Sequence, residues 1–205
     1  MLDAGCGTGR LTDELPAAPP RGHVIGIDLS QNMLQSAREN LASDSQVSLV
    51  AGDLLHLPFR RMFDGILSTA ALHWVLDHHR LFTNFHDVLR PGGWFEAQCG
   101  GGPNLMAFRQ RVAALANTPR FAEFFSGFRE PWLFQTAEGA AEALRCAGFV
   151  DVETSIEAAP TLLENAPQYG EFISTMILRA PPNSDNEGRF ARGFRRESGG
   201  AVGGR

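Results

Sequence analysis

The sequence contains no lysine: all 18 of its basic residues are arginine. The simplest reading is a GC-rich coding sequence, which favours arginine codons, and no functional meaning is assigned to it. There is no excess of positive charge, since the formal net charge is −5, so nothing global favours nucleic acid or an anionic membrane surface. Cysteine is scarce. Cys6, Cys99 and Cys146 lie far apart and form no CxxC pair, which excludes a disulfide framework and a clustered zinc site. No apolar run is long enough to span a bilayer, and no signal peptide is recognisable, so a reducing, cytoplasmic setting is the expectation. What remains, with 43% hydrophobic and 20% charged residues in 205, is the composition of a globular α/β-sized chain.

Short apolar runs alternate with helical patterns along the first half. "HVIGIDLS" reads as a buried strand closing on Asp28, "VSLVAGD" as one ending at Asp53, and "FDGILST" as one ending at Ser68 and Thr69. Between them "TGRLTDEL" reads as a helix. "QNMLQSARENLA" reads as another, with Ser30 as N-cap and Met33, Leu34, Ala37 and Leu41 facing the sheet. "HRLFTNFHDVLRPGG" carries an apolar stripe of Leu81, Phe82, Phe85, Val88 and Leu89, and "PGG" turns the chain into the strand "WFEAQC". This alternation predicts a parallel sheet with helices on both faces. Beyond Gly100 the reading gives helices at "MAFRQRVAALA", at "AEGAAEALRCA" with Thr136 as cap, and at "PQYGEFISTMILRA". "FVDVETSIE" is expected as a half-exposed strand, and the Phe121, Phe124, Phe125, Phe128 stripe as core or lid. Residues 181–205 are rich in Arg and Gly and poor in aliphatics, and are expected as a disordered tail after a domain covering 1–180.

The opening "MLDAGCGTGR" holds Gly5, Gly7 and Gly9 in a G-x-G-x-G pattern. A dinucleotide site needs a third glycine where Arg10 stands, so that helix amides can receive a pyrophosphate. Asp3, just ahead of the turn, would repel a phosphate and attract a cation. Asp28, ending the next strand, is placed to accept hydrogen bonds from both hydroxyls of a ribose, with Leu29 beside an adenine and Asp53 suited to accept from its amino group. A cation, a ribose and an adenine together describe S-adenosylmethionine.

"LDAGCGTGRLT", "VIGIDLSQNML", "AGDLLHLPF", "FDGILSTAALHW" and "LRPGGWFEAQCGG" resemble, in order and at suitable intervals, the successive motifs of class I S-adenosylmethionine-dependent methyltransferases. "AALHWVLDH", "QCGG" and "EPWLF" are similar to the trans-aconitate methyltransferase-like branch. The resemblance implies a Rossmann-like fold and places Asp3, Gly5, Gly7 and Gly9 along the methionine end of the cofactor. It places Asp28 on the ribose, Leu29 and Met33 on the adenine with Asp53 and Leu54 near its edge, and Thr69 close to the methyl group. His73 and Trp74 would face the acceptor, with His73 as the candidate base. The acceptor is expected to be a small carboxylate, for which Arg109, Arg129 or Arg179 would offer a forked contact. Measured against the family pattern, the first strand is short of its apolar half and a last strand has no signal, which is expected to weaken turnover.

Each assignment has a plainer reading. The glycines and aspartates can shape turns and cap helices, Asp53 above all, and His73 can be a packing partner of Trp74. His78 and His79 are adjacent and point apart on a helix, so they are read as surface residues and not as metal ligands. Cys6 is a small packing residue, because transfer from a sulfonium needs no covalent intermediate. Two other functional classes stay open: a cofactor-binding or interaction module without catalysis, and a nicotinamide oxidoreductase, against which Arg10 and Asp3 both argue.

Overall fold

The computed structural model describes residues 1–15, 22–41, 45–123 and 125–173. The chain divides into two compact units, Met1–Gly102 with Trp132–Ile156, and Pro103–Pro131 with the chain from Glu157 onward. The expected tail, 181–205, lies outside the described residues.

In the first unit, β1 (Leu2–Ala4), β2 (Val24–Asp28), β3 (Val47–Ala51), β4 (Phe63–Thr69) and β5 (Leu89–Gln98) form one sheet in the order β3-β2-β1-β4-β5. All four pairings are parallel. The short central strand β1 is paired on both sides, Asp3 standing opposite Gly26 of β2 and Leu67 of β4. Right-handed crossovers then put α1 (Arg10–Glu14) and α2 (Gln31–Asn40) on one face and α3 (His78–Val88) on the other. The core lies on the α3 side. Leu2, Ala4, Ile25, Ile27 and Ile66 of the sheet pack there with Leu81, Phe82, Phe85 and Val88 of α3 and with Ala143 and Leu144 of α5 (Ala137–Cys146). The helix caps behave as read: Ser30 accepts from the Met33 amide at 3.4 Å, and Thr136 from that of Gly139 at 3.1 Å.

Three local expectations change. Met33 does not face the sheet; it is 46% exposed while Leu34 and Ala37 are fully buried, because it lies at the edge of the buried stripe 34, 37, 41, about 100° around the helix from Leu34. "PGG" does not end a helix ahead of a separate strand. β5 begins at Leu89, directly after α3, and its register against β4 jumps between Phe63↔Leu89 and Gly65↔Trp94, with Gly92 at φ +79. "FVDVETSIE" is not a strand. Asp151 takes φ +52 and breaks the period-2 alternation, so that Phe149 and Val152, three apart, both pack on the core while Val150 is 81% exposed.

The second unit holds α4 (Met106–Ala116) and α6 (Ala166–Phe172). Its phenylalanine-rich segment, expected as core or lid, forms turns. Phe125 and Phe128 meet edge-to-face at 5.6 Å, and Phe124 lies outside the described residues.

Candidate functional site

The chain leaves β1 in one direction to reach β2, and returns across β1 from β3 to β4, so the topological switch point lies between β1 and β4. The turns after these two strands meet there. Gly5 sits at φ +83, and a Cβ on it would stand 2.2 Å from the Cβ of Ala71. Glycine is therefore required twice over, for conformation and for close approach. Gly9 is similar: at φ +76, its Cβ would meet Leu41 at 2.6 Å. Gly7, at φ +55, faces open space.

The glycine turn is fixed by its own amides. Gly5 and Cys6 both donate to the Ile27 carbonyl, at 2.8 and 3.0 Å. Gly7 N–H donates to Oδ2 of Asp28 at 2.8 Å, and Ser30 N–H to Oδ1 at 2.7 Å. Asp28 thus binds the turn after β1 to the start of α2, and each of its oxygens retains a further lone pair. Ser30 was legible only as a cap; its amide contact to Asp28 was not.

Asp3 is 1% exposed and accepts from the Thr12 hydroxyl at 2.6 Å. Burial pushes its carboxyl above the usual value, partly opposed by the Thr12 bond. Its side chain is thus part of the scaffold under the turn. Cys6 is buried, and burial together with the charges of Asp3 and Asp28 pushes its thiol up to about 12. A thiol in that state is no nucleophile.

On the far side of β2, Leu29 is 40% exposed and Met33 stands exposed near it on α2, two apolar side chains left uncovered. Asp53 caps the 3-10 turn Leu54–His56, accepting from the Leu55 amide at 2.8 Å, and its other oxygen meets Nδ1 of His56 at 3.0 Å. The cap reading of Asp53 therefore holds, whatever else it binds. Leu54 is buried in the core, and its carbonyl accepts from Asn84 at 3.1 Å; its side chain is not available to an adenine edge.

At the end of β4 the Ser68 hydroxyl, fully buried, donates to the Ala4 carbonyl at 2.6 Å. Thr69 is half-buried beside it. A left-handed Ala70, φ +54, turns the chain into the 3-10 turn Leu72–Trp74. Four rings gather around that turn. His73 lies 5.3 Å from Trp74 and 5.7 Å from Phe134, Trp74 lies 6.0 Å from Trp132, and Trp132 stacks on Phe134 at 6.0 Å. The Leu133 amide donates to the His73 carbonyl at 2.8 Å and secures the two segments. Trp132 is 8% exposed and its indole N–H has no hydrogen-bond partner among the described residues. "EPWLF" carried the signal for Trp132 and Phe134, but nothing in the sequence said which turn they would cover.

The Gly100 amide donates to Nδ1 of His73 at 3.3 Å, so the neutral ring carries its hydrogen on Nε2. Burial holds His73 below the usual histidine value, and the neighbouring His78 adds to this. The expected base role needs a free ring lone pair, and the one lone pair of the neutral ring is occupied. His78 also differs from expectation. It is 4% exposed and not on the surface; its Nε2 donates to the Leu72 carbonyl at 3.0 Å. His79 is exposed, as read.

In the second unit Arg109 forks onto Glu130, with Nε at 2.9 Å from Oε1, so its guanidinium is engaged by a carboxylate of its own chain. Arg129 lies in the same unit, and Arg179 falls outside the described residues. Among the described residues no group of histidine, cysteine and acidic side chains has the geometry of a metal site, and no helix is long and apolar enough to cross a membrane.

Comparison with known proteins gives the same picture. A family profile described as a methyltransferase domain matches residues 2–97. Demethylmenaquinone methyltransferase of Staphylococcus aureus is 36% identical over 163 residues, covering 74% of this chain and 68% of the relative. Among solved structures, phosphoethanolamine N-methyltransferase 2 of Haemonchus contortus with S-adenosylhomocysteine aligns with a TM-score of 0.58 at 27% identity, over 75% of this chain and 33% of that one. A chain from the complex of a Haloferax volcanii methyltransferase activator with a methyltransferase aligns at 0.56 and 24% identity, over 77% and 68%, a likeness of fold. Glycine turn, strand-end carboxylate, parallel sheet and relatives agree, and the chain belongs to the class I S-adenosylmethionine-dependent methyltransferases.

Proposed function

We propose that this methyltransferase acts on a small, planar, conjugated acceptor that presents an acidic or anionic edge. The observation that carries this reading is the ring cluster of His73, Trp74, Trp132 and Phe134 beside the switch point. Flat rings favour a flat partner, and a neutral His73 that donates from Nε2 suits an oxygen acceptor. The trans-aconitate-like acceptor implied by "AALHWVLDH" and a menaquinone-type ring, the kind of compound after which the Staphylococcus aureus relative is named, both fall within this class.

The residues present fit S-adenosylmethionine. Asp28 has lone pairs left for the ribose hydroxyls, and the open space over Gly7 admits a ligand against the backbone. Leu29 and Met33 offer apolar cover for the adenine, with Asp53 at its edge through whatever capacity its cap leaves. Asp3 supplies negative charge beneath the methionine end, where Gly5 and Gly9 keep the turn narrow. When bound, the cofactor supplies a methyl group activated by its sulfonium. The protein's part is alignment and the exclusion of water, and alignment of this kind is worth roughly 7–11 kcal/mol in intramolecular reactions. Thr69 borders the transfer point, Trp74 and Trp132 keep it dry, and His73 orients the acceptor through a donated hydrogen bond. An ionised acceptor needs no base.

The test is a methyl-transfer screen with labelled S-adenosylmethionine against three sets: quinols and phenols, unsaturated carboxylic acids, and saturated carboxylic acids of equal charge. Turnover confined to the first two sets is expected. Equal turnover of the saturated acids would remove the planar acceptor from the account. Tight cofactor binding with no transfer to any set would favour the non-catalytic module.

A further inference from the structure

We propose that His78 is a positioning residue, holding the turn that carries His73 and Trp74; the inference rests on the reading that these two residues face the acceptor. His78 is the first residue of α3, behind its N-cap Asp77, whose carboxylate accepts from the Arg80 amide at 3.0 Å. A histidine at the start of a helix ordinarily points to solvent. This one turns inward, with its ring 5.4 Å from that of Phe82, and reaches back six residues to the Leu72 carbonyl.

That carbonyl opens the acceptor turn. It already accepts from the Val75 amide at 2.9 Å, so the bond from His78 uses its second lone pair and closes the loop between the turn and α3. Leu72 is itself buried. The turn is then held at both ends: by His78 on the α3 side and by the Leu133 amide on the Trp132–Phe134 side. His73, one residue beyond the strapped carbonyl, takes its ring position from the two ties together.

The state of the His78 ring agrees with this role. Its Nε2 carries the hydrogen that Leu72 receives, and its Nδ1 is buried with no partner among the described residues. An apolar residue would fill the same space and leave nothing unsatisfied, so packing alone gives no reason for a histidine here. The strap does. Burial and the neighbouring His79 keep the ring neutral against the opposing pull of Asp77 and of the Leu72 bond, and the positive end of the α3 dipole acts in the same direction.

The test uses the full chain with ¹⁵N-labelled histidine. In the wild type the ring nitrogens of His73 should report one tautomer, with the hydrogen on Nε2. His78→Leu removes the strap and keeps apolar bulk; it should leave S-adenosylmethionine affinity within twofold and give His73 a mixture of tautomers. His78→Gln has no ring charge either, but its amide can reach Leu72, and it should restore the single tautomer. The contrast between these two variants separates the strap from the loss of a charge near His73. If His78→Leu does not fold, His78→Asn, one carbon too short to reach, takes its place. Identical His73 signals in the wild type, the strapless variant and His78→Gln would overturn the proposal. A failure of the acceptor reading would instead appear in the wild type, as absent transfer, with the tautomer contrast unchanged.

Discussion

The turns after β1 and β2 and the turn after β4 are fixed by different means. In the first pair, carboxylates and carbonyls collect backbone amides. Asp28 binds two, the Ile27 carbonyl binds two, and the buried Asp3 is answered by Thr12. Beyond β4, rings pack on rings, and two buried polar atoms, His78 Nδ1 and Trp132 Nε1, have no partner among the described residues. A satisfied hydrogen-bond network has one geometry and resists change. A ring cluster repacks at little cost when a side chain is exchanged for one of similar volume. On the proposed reading, the rigid side holds the cofactor and the adaptable side meets the acceptor.

The largest effect is expected where the two regions touch. Gly5→Ala combines a left-handed conformation with a Cβ placed against Ala71, and should cost about 3 kcal/mol of unfolding free energy, read by urea titration, with loss of cofactor binding. Next is Asp28→Ala. It removes two amide anchors as well as the ribose contacts, and hydrogen bonds to a charged group are worth about 1.5–3 kcal/mol, so calorimetry should show S-adenosylmethionine affinity reduced by at least about tenfold. An unchanged affinity would mean that the carboxylate side of the comparison carries no ligand. On the ring side, Trp132→Phe deletes an unsatisfied donor and some packing together. The two roughly offset, leaving stability within about 1 kcal/mol and cofactor affinity unaltered, while the ranking of acceptors in the transfer screen shifts.

The smallest effects are those of pH. His73 and His78 are both held below the ordinary histidine value of 6.5 by burial. The unfolded chain therefore binds more protons than the native one just below that value. Stability should be fully present above about pH 6.5 and decline as pH falls. Asp3 has the opposite sign. Its carboxyl is raised above 3.8 by burial, so the native state binds the extra proton, and stability from this group falls as pH rises through that interval and is constant above it. Asp3→Asn keeps an acceptor for Thr12 without the buried charge. Its thermal midpoint at pH 7 should match or exceed the wild type, while cofactor affinity drops if the through-space charge matters.

How much of this was legible in the sequence follows from the same contrast. The strands β2, β3 and β4, the helix caps and the G-x-G-x-G turn depend on local chemistry, on positive φ at glycine and on short apolar runs between helices, and they were read directly. Asp28 was found because a strand-ending carboxylate is a local signal, although its service to Gly7 and Ser30 is not. His78 was misread because adjacency on a helix says which way a side chain starts and nothing of a carbonyl six residues back. Met33 shows the limit of a stripe read from the sequence: it stands at the edge of the buried face and is left bare. The ring cluster depends on Trp132 and Phe134 arriving from sixty residues downstream, a contact with no local trace.

Ser68 has a consequence of its own. The first strand is three residues long, and its ladder to the fourth is correspondingly brief; the serine hydroxyl contributes one more rung beyond the last backbone pair. The tips of the two central strands must then advance or retreat as one piece. The glycine turn and the Ala70 turn, which leave from those two tips, therefore start from one fixed spacing.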